Sequence, residues 1–80
     1  MEARVFEQNL TVEGTSLFLL LESLSDSGMP LVRDEVIRFW NASPQSLDDS
    51  FAELAGRDMA EADASGAWHL KPFAEWKREA

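Results

Sequence analysis

The chain has 80 residues, of which 45% are hydrophobic and 10% aromatic, enough for one small domain with one core and too many for wholesale disorder. It contains no cysteine, so neither a disulfide nor a thiolate metal site can staple the fold, which fits a reducing compartment. Fifteen acidic residues against seven basic leave a formal charge of −8, which repels nucleic acid and anionic membrane as a whole and attracts basic surfaces.

The start, Met1-Glu2-Ala3-Arg4-Val5, lacks a basic segment followed by an apolar one, so no secretory signal is visible and a cytoplasmic location is expected. Arg4 to Glu13 alternates: Phe6, Leu10 and Val12 share one side of an extended chain with Gln8, while Glu7, Asn9, Thr11 and Glu13 share the other with Val5. This predicts a half-buried N-terminal strand, broken by Gly14. Thr15 to Gly28 then holds Leu17-Phe18-Leu19-Leu20-Leu21 and Leu24, a helix apolar on most of its circumference and so buried on more than one side. Thr15 or Ser16 is its expected cap and Gly28 its end. A membrane span would need about 20 apolar residues, and Glu22, Ser23, Ser25 and Asp26 come too soon.

After Pro30, the spacing of Leu31, Val32, Val36, Ile37, Phe39 and Trp40 predicts a second helix, with Arg33, Asp34, Glu35 and Arg38 left to solvent. A third helix starts at Ser43 or Ser46, with Leu47, Phe51, Leu54 and Ala55 facing inward. Gly56 disfavours its continuation. Trp68 and Leu70 alternate with polar neighbours, so a hairpin is expected, Asp58–Asp63 against Ala67–Lys71, turning at Ala64-Ser65-Gly66. Pro72 ends it, and Phe73 and Trp76 share one side of a short helical turn. The expected architecture is α+β: an N-terminal strand, a three-helix core and a C-terminal hairpin in a single domain, 1–80, whose ends (1–3 and 77–80) are free to fray.

Little here supports catalysis. Nucleophilic chemistry needs an activated Ser, Cys or Lys beside a base, and His69 is the only histidine, placed between Trp68 and Leu70 at what reads as a surface or cap position. One histidine without cysteines cannot seed a transition-metal site. The neighbours Asp34-Glu35 and Asp48-Asp49 diverge on a helix, the spacing of Asp58, Glu61 and Asp63 is wrong for a calcium loop, and no glycine-rich phosphate loop exists. No enzyme activity, cofactor or metal is expected. Trp40 reads as core, whereas Trp68 and Trp76 divide between core and interface anchor.

Three helices followed by a two-stranded ribbon resemble a winged helix over Gly14 to Pro72. The stretch Leu54-Ala55-Gly56-Arg57-Asp58-Met59, followed by Asp63 to Pro72, looks like the end of a recognition helix running into its wing. Such a fold lays that helix in the major groove and neutralises phosphates with basic residues. Here Asp48, Asp49, Glu53, Asp58, Glu61 and Asp63 stand between Ser46 and Gly66 against Arg57 alone. The bland reading is a solvated acidic face. The sharper one is that these six carboxylates imitate phosphates and bind a protein groove built for DNA. In size, acidity and lack of catalytic residues the chain resembles small phage-encoded inhibitors, in particular anti-CRISPR proteins that block type I surveillance complexes. That resemblance implies a basic Cas subunit as partner, in the cytoplasm of a bacterial host, with no direct nucleic-acid or membrane contact and no cofactor; oligomeric state stays open. Two alternatives stand beside it: a winged-helix-like regulator binding DNA through the wing and the basic tail, Lys71, Lys77 and Arg78, and an adaptor docking a basic protein without inhibiting it.

Overall fold

In the computed structural model, which describes residues 3–77, the first long helix begins earlier than its sequence suggests. Helix α1 spans Val12–Asp26 and is capped by Thr11, whose hydroxyl accepts the Gly14 N–H. Gly14 is therefore inside the first turn, buried, rather than a break before it. Leu17, Phe18, Leu21 and Leu24 are buried in one stripe, and Leu19 and Leu20 on its flanks are half covered by the same core. At the far end Gly28 takes φ 75°, the Gly28 N–H reaches Ser25 O and the Met29 N–H reaches Leu24 O. These are the paired bonds that satisfy the last carbonyls when a left-handed residue follows a helix.

The expected N-terminal strand does not form. Ala3–Glu7 is a 3-10 turn, and Asn9 at φ 56° reverses the chain into the Thr11 cap. Val5 and Gln8, three residues apart, are buried, while Phe6 and Val12 of the expected inner side are exposed. A strand needs a neighbour to bond, and this segment pairs with neither strand of the two-stranded sheet. Local bonding such as Gln8 N–H to Val5 O takes its place.

The second helix is shorter than expected. Leu31 and Val32 stay extended, because Val32 forms an antiparallel bridge with Ala67 and the Trp68 N–H donates to Leu31 O at 2.7 Å. Only Arg33–Val36 is α-helical (α2), continued by a 3-10 turn at Ile37–Phe39. Helix α3 spans Pro44–Gly56 with Ser43 as cap and Pro44 in the first turn. Ser46 sits inside that turn, where its hydroxyl donates to Ser43 O and accepts the Trp40 indole N–H.

Gly56 is tolerated as the last residue of α3, and the turn away is made two residues later. Asp58 has φ 55°, its N–H reaches Ala55 O, and the Met59 N–H reaches Leu54 O. Asp58 thus occupies in α3 the place that Gly28 occupies after α1. Aspartate adopts this conformation at a cost that glycine avoids. Asp58→Gly is expected to stabilise the fold by about 0.5–1 kcal/mol, read as a higher denaturant midpoint at unchanged slope.

The hairpin forms as expected. Strand β1, Ala60–Ala62, pairs antiparallel with β2, Trp68–Leu70, in the register Ala60 to Leu70, Glu61 to His69 and Ala62 to Trp68. Trp68 stacks on Phe51 of α3 with ring centroids 4.4 Å apart, which fastens the ribbon to the helices. Beyond it, the 3-10 turn Phe73–Glu75 brings Trp76 into the core, edge-on to Phe18 of α1 and to Phe73, each at 5.2 Å. All three tryptophans pack in or against the core. The described residues are thus an α+β arrangement of three helices and a two-stranded hairpin. No helix among them is long and apolar enough to cross a membrane. Arg78 of the basic tail lies outside the described residues.

Candidate functional site

The six acids singled out from the sequence do not form one set. Asp48, on α3, is forked by Arg33 of α2, Nε at 2.6 Å and Nη2 at 3.3 Å. That hydrogen bond and the charge behind it hold the Arg33 proton more tightly than usual. The spacing of the second helix leaves Arg33 to solvent, and nothing in the sequence marks a partner fifteen residues on. Asp49, one turn after Gln45, accepts from the Gln45 amide, and no cation pairs with it among the described residues. It lines an open cleft of about 330 Å³ with Thr11, Glu13, Ser46, Ser50 and Glu53.

Glu53 in that cleft has a structural task. One carboxylate oxygen accepts the Thr11 N–H at 3.0 Å and the other the Thr11 hydroxyl at 2.7 Å. The Thr11 oxygen in turn accepts from Gly14 N–H, so α3 completes the cap of α1. The contact requires glycine at position 14: a Cβ there would lie 2.1 Å from Glu53 Oε1. Asp58 is held by its backbone role after α3. Glu53 and Asp58, two of the expected contacts, are thus used by the fold itself.

Glu61 and Asp63 meet on the hairpin, around a residue the sequence left as peripheral. The odd-numbered positions of both strands share the outer side: Glu61 lies opposite His69, and Lys71 Nζ is 3.9 Å from Glu61 and 3.8 Å from Glu75. Asp63 organises the tip. Its Oδ1 accepts from Ser65 N–H at 2.8 Å, from the Ser65 hydroxyl and from Ala67 N–H at 3.2 Å, and its Oδ2 faces His69 Nε2 at 2.7 Å. Gly66, at φ 90°, closes the turn. The alternation of residues 61, 63, 69 and 71 was the sequence signal for this row, visible once the register was known.

The Ser65 hydroxyl, His69, and the Ser65 and Ala67 N–H groups hold the Asp63 carboxyl well below the usual carboxylate range, against a small opposing effect of burial. A depressed carboxyl contributes order above its unfolded value, near 3.9, and loses it only as pH falls through the folded one. The Ser65 and Ala67 amide resonances are therefore expected to show no carboxylate step between neutral pH and about pH 4 and to show one only in stronger acid. In Asp63→Ala both should lose their low-field, bonded positions at every pH. A midpoint at the ordinary carboxylate value would remove Asp63 from the turn.

Among the described residues no three of His, Asp and Glu converge as metal ligands would. Compared with protein-family models, curated proteins and solved structures, the chain matches none of them.

Proposed function

We propose that the protein is a non-catalytic, winged-helix-like binding domain that docks a basic surface of a nucleic-acid-binding protein and keeps nucleic acid from it. One observation carries this reading: α3, the helix that a reader of this shape would lay in the groove, has Asp48, Asp49 and Glu53 and no lysine or arginine from Pro44 to Gly56. Carboxylates there oppose phosphates and favour Arg and Lys. The bridge from Val32 to Ala67 supports the winged-helix likeness, because it sets an extended segment between α1 and α2 alongside the hairpin. Among the described residues no cation pairs with Asp49 or Glu13 at the cleft, the hairpin row sets Glu61, Asp63 and Glu75 against Lys71, and Arg33 offsets Asp48. The narrower form of the reading is the one its resemblance to small phage inhibitors implies: an anti-CRISPR that stops a type I surveillance complex from binding target DNA.

The DNA-reading alternative relies on Lys71, Lys77 and Arg78. Lys71 already faces Glu61 and Glu75, which leaves it little to offer a phosphate.

Two gel-shift experiments separate these readings. The protein alone should leave plain duplex DNA unshifted, and it should reduce loading of duplex target by a purified type I complex. Reversing Asp48, Asp49 and Glu53 together would confound the test, since Glu53 completes the cap of α1 and Asp48 is paired with Arg33. Asp49→Lys with Glu61→Lys spares the Thr11 cap and should weaken the inhibition by roughly tenfold or more. A shifted duplex favours the DNA reader. Binding without inhibition favours an adaptor, and undiminished inhibition by the double variant removes this surface as the contact.

A further inference from the structure

The start of the chain carries two unfavourable features side by side. Gln8 is 6% exposed, and no donor among the described residues reaches its side-chain Oε1. A buried carbonyl oxygen that gives up water and gains no bond opposes the packed state. The next residue, Asn9, sits at φ 56°, which a residue with a Cβ adopts at a cost. The holds on this segment are few by comparison. Val5 is the one buried apolar side chain from Arg4 to Asn9, and Arg4, Phe6 and Glu7 are exposed. The Gln8 N–H reaches Val5 O at 3.2 Å, Arg57 donates to Gln8 O, and Arg4 lies over the Phe73 ring at 3.9 Å. We propose that residues 3–9 form a strap that opens as a unit from an otherwise folded domain.

The fold sets the limits of the movement. Asn9 is the hinge, and Thr11 is the stop, because Glu53 holds both its N–H and its hydroxyl. Helix α1 therefore keeps its cap when the strap leaves. Opening returns Gln8 Oε1 to water and lets Asn9 leave the left-handed region, and these gains offset the lost burial of Val5 and the lost bond from Arg57. The open form uncovers the apolar slot filled by Val5 and releases the Arg57 guanidinium from Gln8 O. That surface, apolar and cationic, is opposite in character to the acidic face of α3, so the two forms present different chemistry to a partner. The inference does not depend on the docking reading.

The test is native-state hydrogen exchange on the full chain, with urea added below the unfolding transition. The Gln8 amide should exchange at a rate that barely changes with urea, because opening the strap exposes little surface. The Leu21 amide, in the middle of α1, should instead speed up with the full slope of global unfolding. Gln8→Met removes the unbonded oxygen, keeps the main-chain carbonyl that Arg57 uses, and should slow exchange at position 8 by roughly tenfold. Val5→Ala shortens the apolar hold and should speed exchange at position 8 by roughly tenfold or more, with the urea dependence still flat. A Gln8 amide whose urea dependence matches that of Leu21 overturns the inference, since the segment then leaves only when the whole domain unfolds. Unchanged exchange at position 8 in either variant overturns it as well, because neither the buried amide nor the valine would then govern the opening.

Discussion

Trp76→Ala is expected to remove most of the stability of the fold. Trp76 is 5% exposed, touches Phe18 and Phe73 edge-on, and donates its indole N–H to Lys71 O at 2.8 Å. Removing a buried ring of that size costs about 3–5 kcal/mol, because the lost burial is compounded by the cavity left behind. A domain this small has about 5 kcal/mol or little more in total. Circular dichroism on heating should show a melting point lowered by about 12 °C or more, at about 4–8 °C for each kcal/mol, or no transition at all. Trp76→Phe keeps most of the ring contact and forfeits the bond to Lys71 O, for a loss nearer 1–2 kcal/mol. Trp68→Ala should cost less than Trp76→Ala, since Trp68 is only half buried, with its ring stacked on Phe51. A Trp76→Ala protein that melts like the wild type would contradict the placement of this residue in the core.

The second large effect is expected at Arg57, the one cation in the acidic stretch. Its guanidinium donates to Gln8 O near the start of the chain and to Lys77 O near the end, and the Lys77 N–H returns a bond to Arg57 O at 2.7 Å. The same residue is the C-cap of α3. Arg57→Met should destabilise by about 2–3 kcal/mol, the usual worth of hydrogen bonds made by a charged group plus the carbonyls left unpaired. Arg57→Lys preserves the charge but replaces a fork that spans two carbonyls with a single point, so it should recover less than half of the loss. Urea titration of the three proteins decides the matter. If lysine restores full stability, Arg57 acts through charge alone and the joining of the two chain segments is incidental.

The sequence patterns that proved reliable were those closed over short distances. Trp68 and Leu70 alternate, Asp63 to Gly66 has the residues of a turn, and the hairpin formed in the expected span because both strands lie within a dozen residues of each other. Gly28 marked the end of α1 because its left-handed geometry is a local demand. The start of α1 was another matter. Thr11, Thr15 and Ser16 are comparable caps by type, and the choice among them was made by Glu53, forty-two residues away. The N-terminal alternation was genuine as a pattern, yet Phe6 and Val12 ended exposed, since alternation says nothing about whether a pairing edge will be available. The same distinction runs through the acidic site. The excess of carboxylates could be counted from the chain, but the pairings that divide it into neutralised, structural and available charge, Asp48 with Arg33, Glu53 with Thr11 and Glu61 with Lys71, all join separate elements.

One consequence of the C-terminal packing concerns synthesis. Trp76 completes a core begun at Val5, and Arg57 waits for Lys77 to close around it. A chain still growing on the ribosome therefore carries Phe18 with its edge-on partner missing until translation has passed residue 76. The last contacts of the core can form only once residues 76 and 77 have emerged, so the nascent form is more open to chaperones and proteases than the finished one.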